Sequence, residues 1–188
     1  MGRWEPNARG RLAEAAFALY AERGFEQTTV AEIAKRAGLT ERTFFRHFAD
    51  KREVLFAGAD ALRELMVSTV AGAPASLAPI DAATTGLEAA GAFIQEGGGL
   101  AQQRQAIIAA SAELQERELI KLASLAAALA DALRRRGVED PAASLAAEAA
   151  VAVFKIAFDK WVNESDPQDL PLRIRESLED LKAVAAGT

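Results

Sequence analysis

The chain has 188 residues and a mass of 20.0 kDa, with no cysteine and a single histidine, so disulfide frameworks, thiolate zinc sites and cysteine nucleophiles are excluded. Its formal net charge of −5 is unevenly divided: residues 1–52 hold ten Lys/Arg against seven Asp/Glu, whereas residues 53–188 hold twelve against twenty, which argues against wholesale coating of nucleic acid and places the positive charge at one end. No apolar run approaches the length of a bilayer span and MGRWEPNARGR lacks the apolar stretch of a secretory signal, so a cytoplasmic protein with no membrane partner is predicted.

Leu12, Ala16, Leu19 and Tyr20 recur at helical spacing and Gly24 follows as a stop, which predicts a first helix from about Pro6 to Arg23. Thr29 and Glu32 have the spacing of a capping box, Val30, Ile33, Ala34 and Ala37 form an apolar stripe, and Gly38 ends this second, two-turn helix. Leu39 fills the turn, Thr40 caps a third helix over about Glu41–Phe48, and the stretch GLTERTFFRHFADK crowds aromatic and cationic residues together. Phe44 and Phe48, four residues apart, form a side suited to burial against Ile33, Leu39, Leu19 and Phe25; Glu41, Arg42, Thr43, Phe45, Arg46 and His47 are left outside. Two short helices joined by a tight turn, the second carrying cations, describe a helix-turn-helix whose second helix enters the major groove of DNA.

Asp50 opens a fourth helix in this reading, running through Val54, Leu55, Leu62 and Leu65 to the break AGAPASLAPID at 71–81. That helix is shared by both parts of the chain and is the expected carrier of any signal between them. Further helices are predicted at about 81–96, 100–111, 113–136, 141–163 and 169–185, with no strand-like alternation and no internal repeat. The predicted fold is all-α: a three-helix helix-turn-helix domain over 1–52, then a larger ligand-binding and dimerisation bundle over 53–188, about nine helices in all. Leu145, Ala149, Ala152 and Ile156 of the 141–163 helix, with Ile174, Leu178 and Leu181 of the last, are candidates for a four-helix interface with a second copy, or for closure of the monomer core. Met66, Phe93, Ile107, Ile108, Phe154, Phe158 and Trp161 are candidate pocket walls or ordinary core, and Gln103 and Arg104 are candidate polar contacts to a ligand. Arg134, Arg135 and Arg136 end a helix, where cations favour its dipole, and are read as structural.

The run ERGFEQTTVAEIAKRAGLTERTFFRHFADKREVL, with Ala15, Ala16, Leu19 and Tyr20 upstream, resembles the amino-terminal domain of TetR-type transcriptional regulators over residues about 10–56. The resemblance implies a homodimeric repressor whose carboxy-terminal helices hold a pocket for a small molecule, released from a palindromic double-stranded operator when that molecule binds. It also implies that Glu41, Arg42, Thr43 and Phe45 contact bases, and that Thr29, Arg46, His47 and Lys51 contact phosphates. Many members have Tyr where this chain has Phe45, and loss of the hydroxyl turns the expected role toward apolar contact with a thymine methyl.

Enzyme chemistry finds no support: a Ser-His-Asp triad has only His47 to draw on, inside the basic helix and beside no nucleophile motif. Gly97, Gly98 and Gly99 lack the Lys-Ser/Thr of a phosphate loop and fit a helix connection. Neither a metal nor a cofactor is expected. The competing reading is an all-α ligand-carrying or interaction protein with a degenerate helix-turn-helix, separable by its lack of sequence-selective, salt-dependent DNA binding.

Overall fold

The computed structural model describes residues 7–164 and 169–187, and these form nine α-helices and no strand. α1 (Ala8–Arg23), α2 (Val30–Arg36) and α3 (Glu41–His47) pack on one another. Asn7 caps α1 by accepting the Gly10 N–H, while Pro6 lies outside the described residues. The capping box of α2 is present in full: the Thr29 hydroxyl accepts the Glu32 N–H at 3.3 Å, and the Glu32 carboxylate accepts the Thr29 N–H at 3.0 Å. Those bonds, the Thr29 N–H foremost, hold the Glu32 carboxyl below its ordinary range. Gly38, at φ +66°, lets the chain turn back so that the Leu39 N–H reaches the Ala34 carbonyl at 2.8 Å, a conformation that a side chain would strain. Leu12, Leu19, Phe25, Ile33, Phe44 and Phe48 are buried, as their spacing predicts.

The fourth helix departs from the sequence expectation. Residues 51–58 are turns, with the Leu55, Phe56 and Ala57 N–H groups bonded to the Arg52, Glu53 and Val54 carbonyls, and α4 is Ala59–Gly72. The physical reason is that Val54, Leu55 and Phe56 are all buried. Three consecutive residues sweep about 200° of an α-helix, more than one face can bury, so a regular helix here would leave one of the three outside. Asp50 starts these turns by accepting the Arg52 and Glu53 N–H groups at 2.8 and 3.1 Å.

The chain divides into two compact units. The first runs to Ala57 and takes in Gln103–Glu118, the end of α6 (Leu100–Ala109) and the start of α7 (Ala112–Arg135); the boundary expected at residue 52 therefore falls inside it, and its second stretch of chain comes from beyond residue 100. The second unit holds α4, α5 (Pro79–Glu96), the first residues of α6, the remainder of α7, α8 (Ala142–Asn163) and α9 (Leu170–Ala186).

α5 is the centre of the second unit, packing on α4, α8 and α9, with α8 also on α9. Small residues make this possible: a Cβ on Gly86 would lie 2.9 Å from the Met66 carbonyl oxygen. Ile174 and Leu178, expected at a dimer interface, are 0% and 5% exposed within one copy. They close the monomer core against α5 and α8, which corrects that part of the expected interface. The arginine run is structural in a way its helix did not announce. Arg136 donates to the carbonyls of Val70, Ala73 and Pro74 and so caps the end of α4, while Arg134 pairs with Asp131 and Asp140.

Candidate nucleic-acid interface

α3 is held by one side and offered by the other. Phe44 and Phe48 are buried with ring centroids 5.4 Å apart, and Phe45 lies beside them at the edge of the outward face, 55% exposed, its ring edge-on to Phe44. That exposure excludes a third core aromatic at this position. Glu41, Arg42 and Arg46 are exposed beside it, and Thr43 and His47 lie half-buried at its margins. The Thr43 hydroxyl is 3.0 Å from that of Thr40, and His47 Nε2 is buried with no partner among the described residues.

What distinguishes Arg42 and Arg46 is what they lack. Most described cations of the first unit are neutralised or bonded: Arg9 to the Ala57 carbonyl, Arg11 to the Ala37 carbonyl, Arg23 to Glu32, Arg36 to Glu22, Arg52 to Asp50 and Glu113, Arg104 to Glu118 and Arg117 to Glu53. Arg42 and Arg46 have no side-chain partner among the described residues, and neither has Lys35 on α2. Two unneutralised guanidinium groups flanking an exposed phenyl ring form a surface suited to anions and flat apolar edges.

Lys51 is placed otherwise. Its ammonium donates to the carbonyls of Phe25 at 2.8 Å and Thr28 at 3.1 Å, with Glu26 at 3.4 Å, and lies 4.1 Å from the Phe25 ring centroid. The Tyr20 hydroxyl donates to the Lys51 carbonyl at 2.6 Å, and burial holds that phenol well above its ordinary range. Lys51 thus staples the turn between α1 and α2, which corrects its expected place among the phosphate contacts: its protons are already on carbonyls. Thr29, another expected phosphate contact, is exposed and uses its hydroxyl in the capping box. Arg9 and Arg11, cations of the amino-terminal end, are likewise occupied within the unit, and Arg3 lies outside the described residues.

The expected pocket residues are not one group. Gln103, Arg104, Ile107 and Ile108 belong to the first unit, and Met66, Phe93, Phe154, Phe158 and Trp161 to the second. In the second, Met66, Phe154 and Trp161 are part of the core, Phe158 packs between the last two with ring centroids 5.8 and 5.9 Å away, and Phe93 is half exposed on α5. An open groove of about 260 Å³ lies elsewhere, floored by alanines of α7 and edged by Asp131, Arg134, Ser144 and Glu148. On α8, Leu145 and Ile156 are 66% and 53% exposed and form one ridge with Ala149 and Ala152, while Leu181 on α9 is half-buried. No helix of the described residues is long and apolar enough to cross a membrane.

Two family models match the chain. That for bacterial regulatory proteins of the tetR family covers residues 12–57, and that for the MftR C-terminal domain covers residues 77–186, more than half of the sequence. The HTH-type transcriptional regulator TcmR of Streptomyces glaucescens is 34% identical over 89 residues, 47% of this chain and 39% of TcmR, so the likeness spans about two fifths of that relative's length. Among solved structures, SmeT, the repressor of the Stenotrophomonas maltophilia multidrug efflux pump SmeDEF, superposes with a TM-score of 0.61 at 22% identity over 94% of this chain and 89% of its own. Thermus thermophilus FadR, solved with lauroyl-CoA, gives 0.52 at 23% identity over 93% of both chains. At these identities the two structures speak for the fold.

Proposed function

The chain belongs to the TetR family of bacterial regulators, and from that premise we propose that it is a sequence-specific repressor, acting in the cytoplasm as a homodimer on a palindromic double-stranded operator and released by a small, largely apolar molecule. The observation that carries this reading is the outward face of α3, where Arg42 and Arg46 stand without partners around an exposed Phe45 while the inward face is fixed by Phe44 and Phe48. An anchored helix with an unneutralised face is what major-groove reading requires. Arg42 takes a base edge, with Glu41 and Thr43 beside it and Phe45 on a thymine methyl. Arg46, His47 and the exposed start of α2 at Thr29 take phosphates.

One short helix reads too few bases for useful specificity, and a second copy doubles them. The ridge of Leu145, Ala149, Ala152 and Ile156 on α8 is the apolar surface proposed to meet its counterpart about a twofold axis, with half-sites near one helical turn apart, about 34–36 Å, or a multiple of it. The nature of the effector is supported by analogy: SmeT has been solved with triclosan, an apolar molecule, and FadR with lauroyl-CoA, whose acyl chain is apolar although its coenzyme A part is charged. Selection from a pool of random duplexes followed by sequencing tests the reading. Enrichment of a palindrome that the protein retains in competition with unrelated DNA is the expected result; retention without sequence preference, or no retention, favours the ligand-carrying reading and overturns this one.

A further inference from the structure

The outward face of α8 is laid out symmetrically about its own middle. Leu145 and Ile156, both exposed, lie equally far from a point between Ala150 and Val151, and Ala149 and Ala152 lie equally far from the same point, inside them. At about 100° per residue these four share a strip about 60° wide, the two large side chains about 16 Å apart with the small ones between. The opposite face, with Ala147, Ala150, Phe154 and Ala157, is in the core of the second unit, so the packing of one copy leaves the strip uncovered. Beside the strip stand two charges. Glu148 and Lys155 are exposed and have no side-chain partner among the described residues. About 10 Å of helix separates them, too far for them to pair with each other, yet they fall on the same flank within about 20°. Their midpoint lies about one residue, or 1.5 Å, from the midpoint of the strip.

A face with this layout fits a copy of itself run the opposite way. Twofold pairing of antiparallel helices sets Leu145 of one copy against Ile156 of the other and brings the alanines to the crossing, where small side chains let the backbones approach. It also keeps the same flank of both helices on the same side, so each Glu148 stands within about 3 Å, along the axis, of the level of the other copy's Lys155. Parallel pairing would instead set Glu148 level with Glu148 and Lys155 level with Lys155. Apolar strips bind one another with little discrimination, whereas charges reject a mismatched partner. We propose that Glu148 and Lys155 are specificity-determining residues of the homodimer: across an antiparallel crossing of α8 centred on Ala149 and Ala152, they admit a second copy of this chain and turn away chains that carry like charges at those places. This rests on the homodimer proposed above and adds how the second copy is chosen.

The test is sedimentation equilibrium of the full chain and its charge-reversed variants. Glu148→Lys and Lys155→Glu each set two like-charged pairs across the axis, so each should raise the dimer dissociation constant about tenfold or more while keeping the helical content of the unaltered chain. The double variant Glu148→Lys/Lys155→Glu restores both pairs with their signs exchanged and should return to within about threefold of the unaltered value. An equimolar mixture of the two single variants should form heterodimers in excess of either homodimer, read by native mass spectrometry of chains carrying tags of different mass. The deficit of each single variant should fade toward about 1 M salt, where the screening length is about 3 Å, as a packing defect would not. Single variants that dimerise as the unaltered chain does, or deficits that neither the double variant nor the mixture recovers, would overturn the proposal. An unaltered chain that sediments as a monomer is a different result, which removes the homodimer reading and this inference with it.

Discussion

Arg46 and Lys51 stand five residues apart in a basic stretch, and only the first still has its protons to offer. Substitution of each should therefore fail differently. Lys51→Met strips donors from the Phe25 and Thr28 carbonyls and should lower unfolding free energy by about 1–3 kcal/mol in urea titration, without changing how DNA affinity responds to salt. Arg42→Ala should leave the fold intact and cost about 1–3 kcal/mol at one base position in each half-site, measured as relaxed preference in competition with single-base variants of the operator. Glu32 and Asp50 add an acid limit: both carboxyls titrate below their ordinary values in the folded chain, through the Thr29 N–H and the Arg52 guanidinium respectively. The unfolded chain takes up their protons first, so their contribution is complete above the ordinary carboxyl range and is lost as pH falls through the folded values. The thermal midpoint should drop between about pH 5 and pH 3, and less steeply in Glu32→Gln. The capping box was legible in the sequence because its partners are three residues apart. The task of Lys51 was not, because its acceptors lie 23 to 26 residues away.

Helices were legible wherever an apolar stripe, a cap and a stop agreed. α2, α5, α8 and α9 begin and end within a few residues of their predicted limits, since Thr29, Pro79 and the capping Asp169 mark starts that local chemistry dictates. The rule broke at 51–58, where Val54 and Leu55 read as the start of a helical stripe, whereas Phe56 is buried with them and no single helical face holds all three. It broke again on α9, whose inward stripe looks the same in sequence whether it meets its own bundle or a second copy. Ile174→Glu should accordingly unfold the second unit, seen as loss of its cooperative transition, whereas Ile156→Glu should leave that transition in place. Gly86→Ala should destabilise by about 1–3 kcal/mol, because the added methyl meets the Met66 backbone, which cannot step aside as a side chain would.

At the scale of the molecule, the two-part plan was legible from the charge asymmetry and the change from a helix-turn-helix to long alanine-rich helices. That the first part recruits Gln103–Glu118 was not, because Arg104 and Glu118 look in sequence like any charged pair on a helix and find the 50–56 turns only through the tertiary fold. Assembly follows from the α8 ridge: Leu145→Glu with Ile156→Glu should sediment as a monomer and lose operator affinity although each monomer keeps an intact α3. The face of α3 is examined most directly by the slope of log affinity against log salt for the selected duplex. Each phosphate contact released by a subunit contributes about 0.9 to that slope. Arg46→Gln should flatten it by about 0.9 per subunit, or about 1.8 for the dimer, with Lys51→Met leaving it as in the unaltered protein. A slope that Arg46→Gln leaves unchanged would contradict the assignment of this face to DNA.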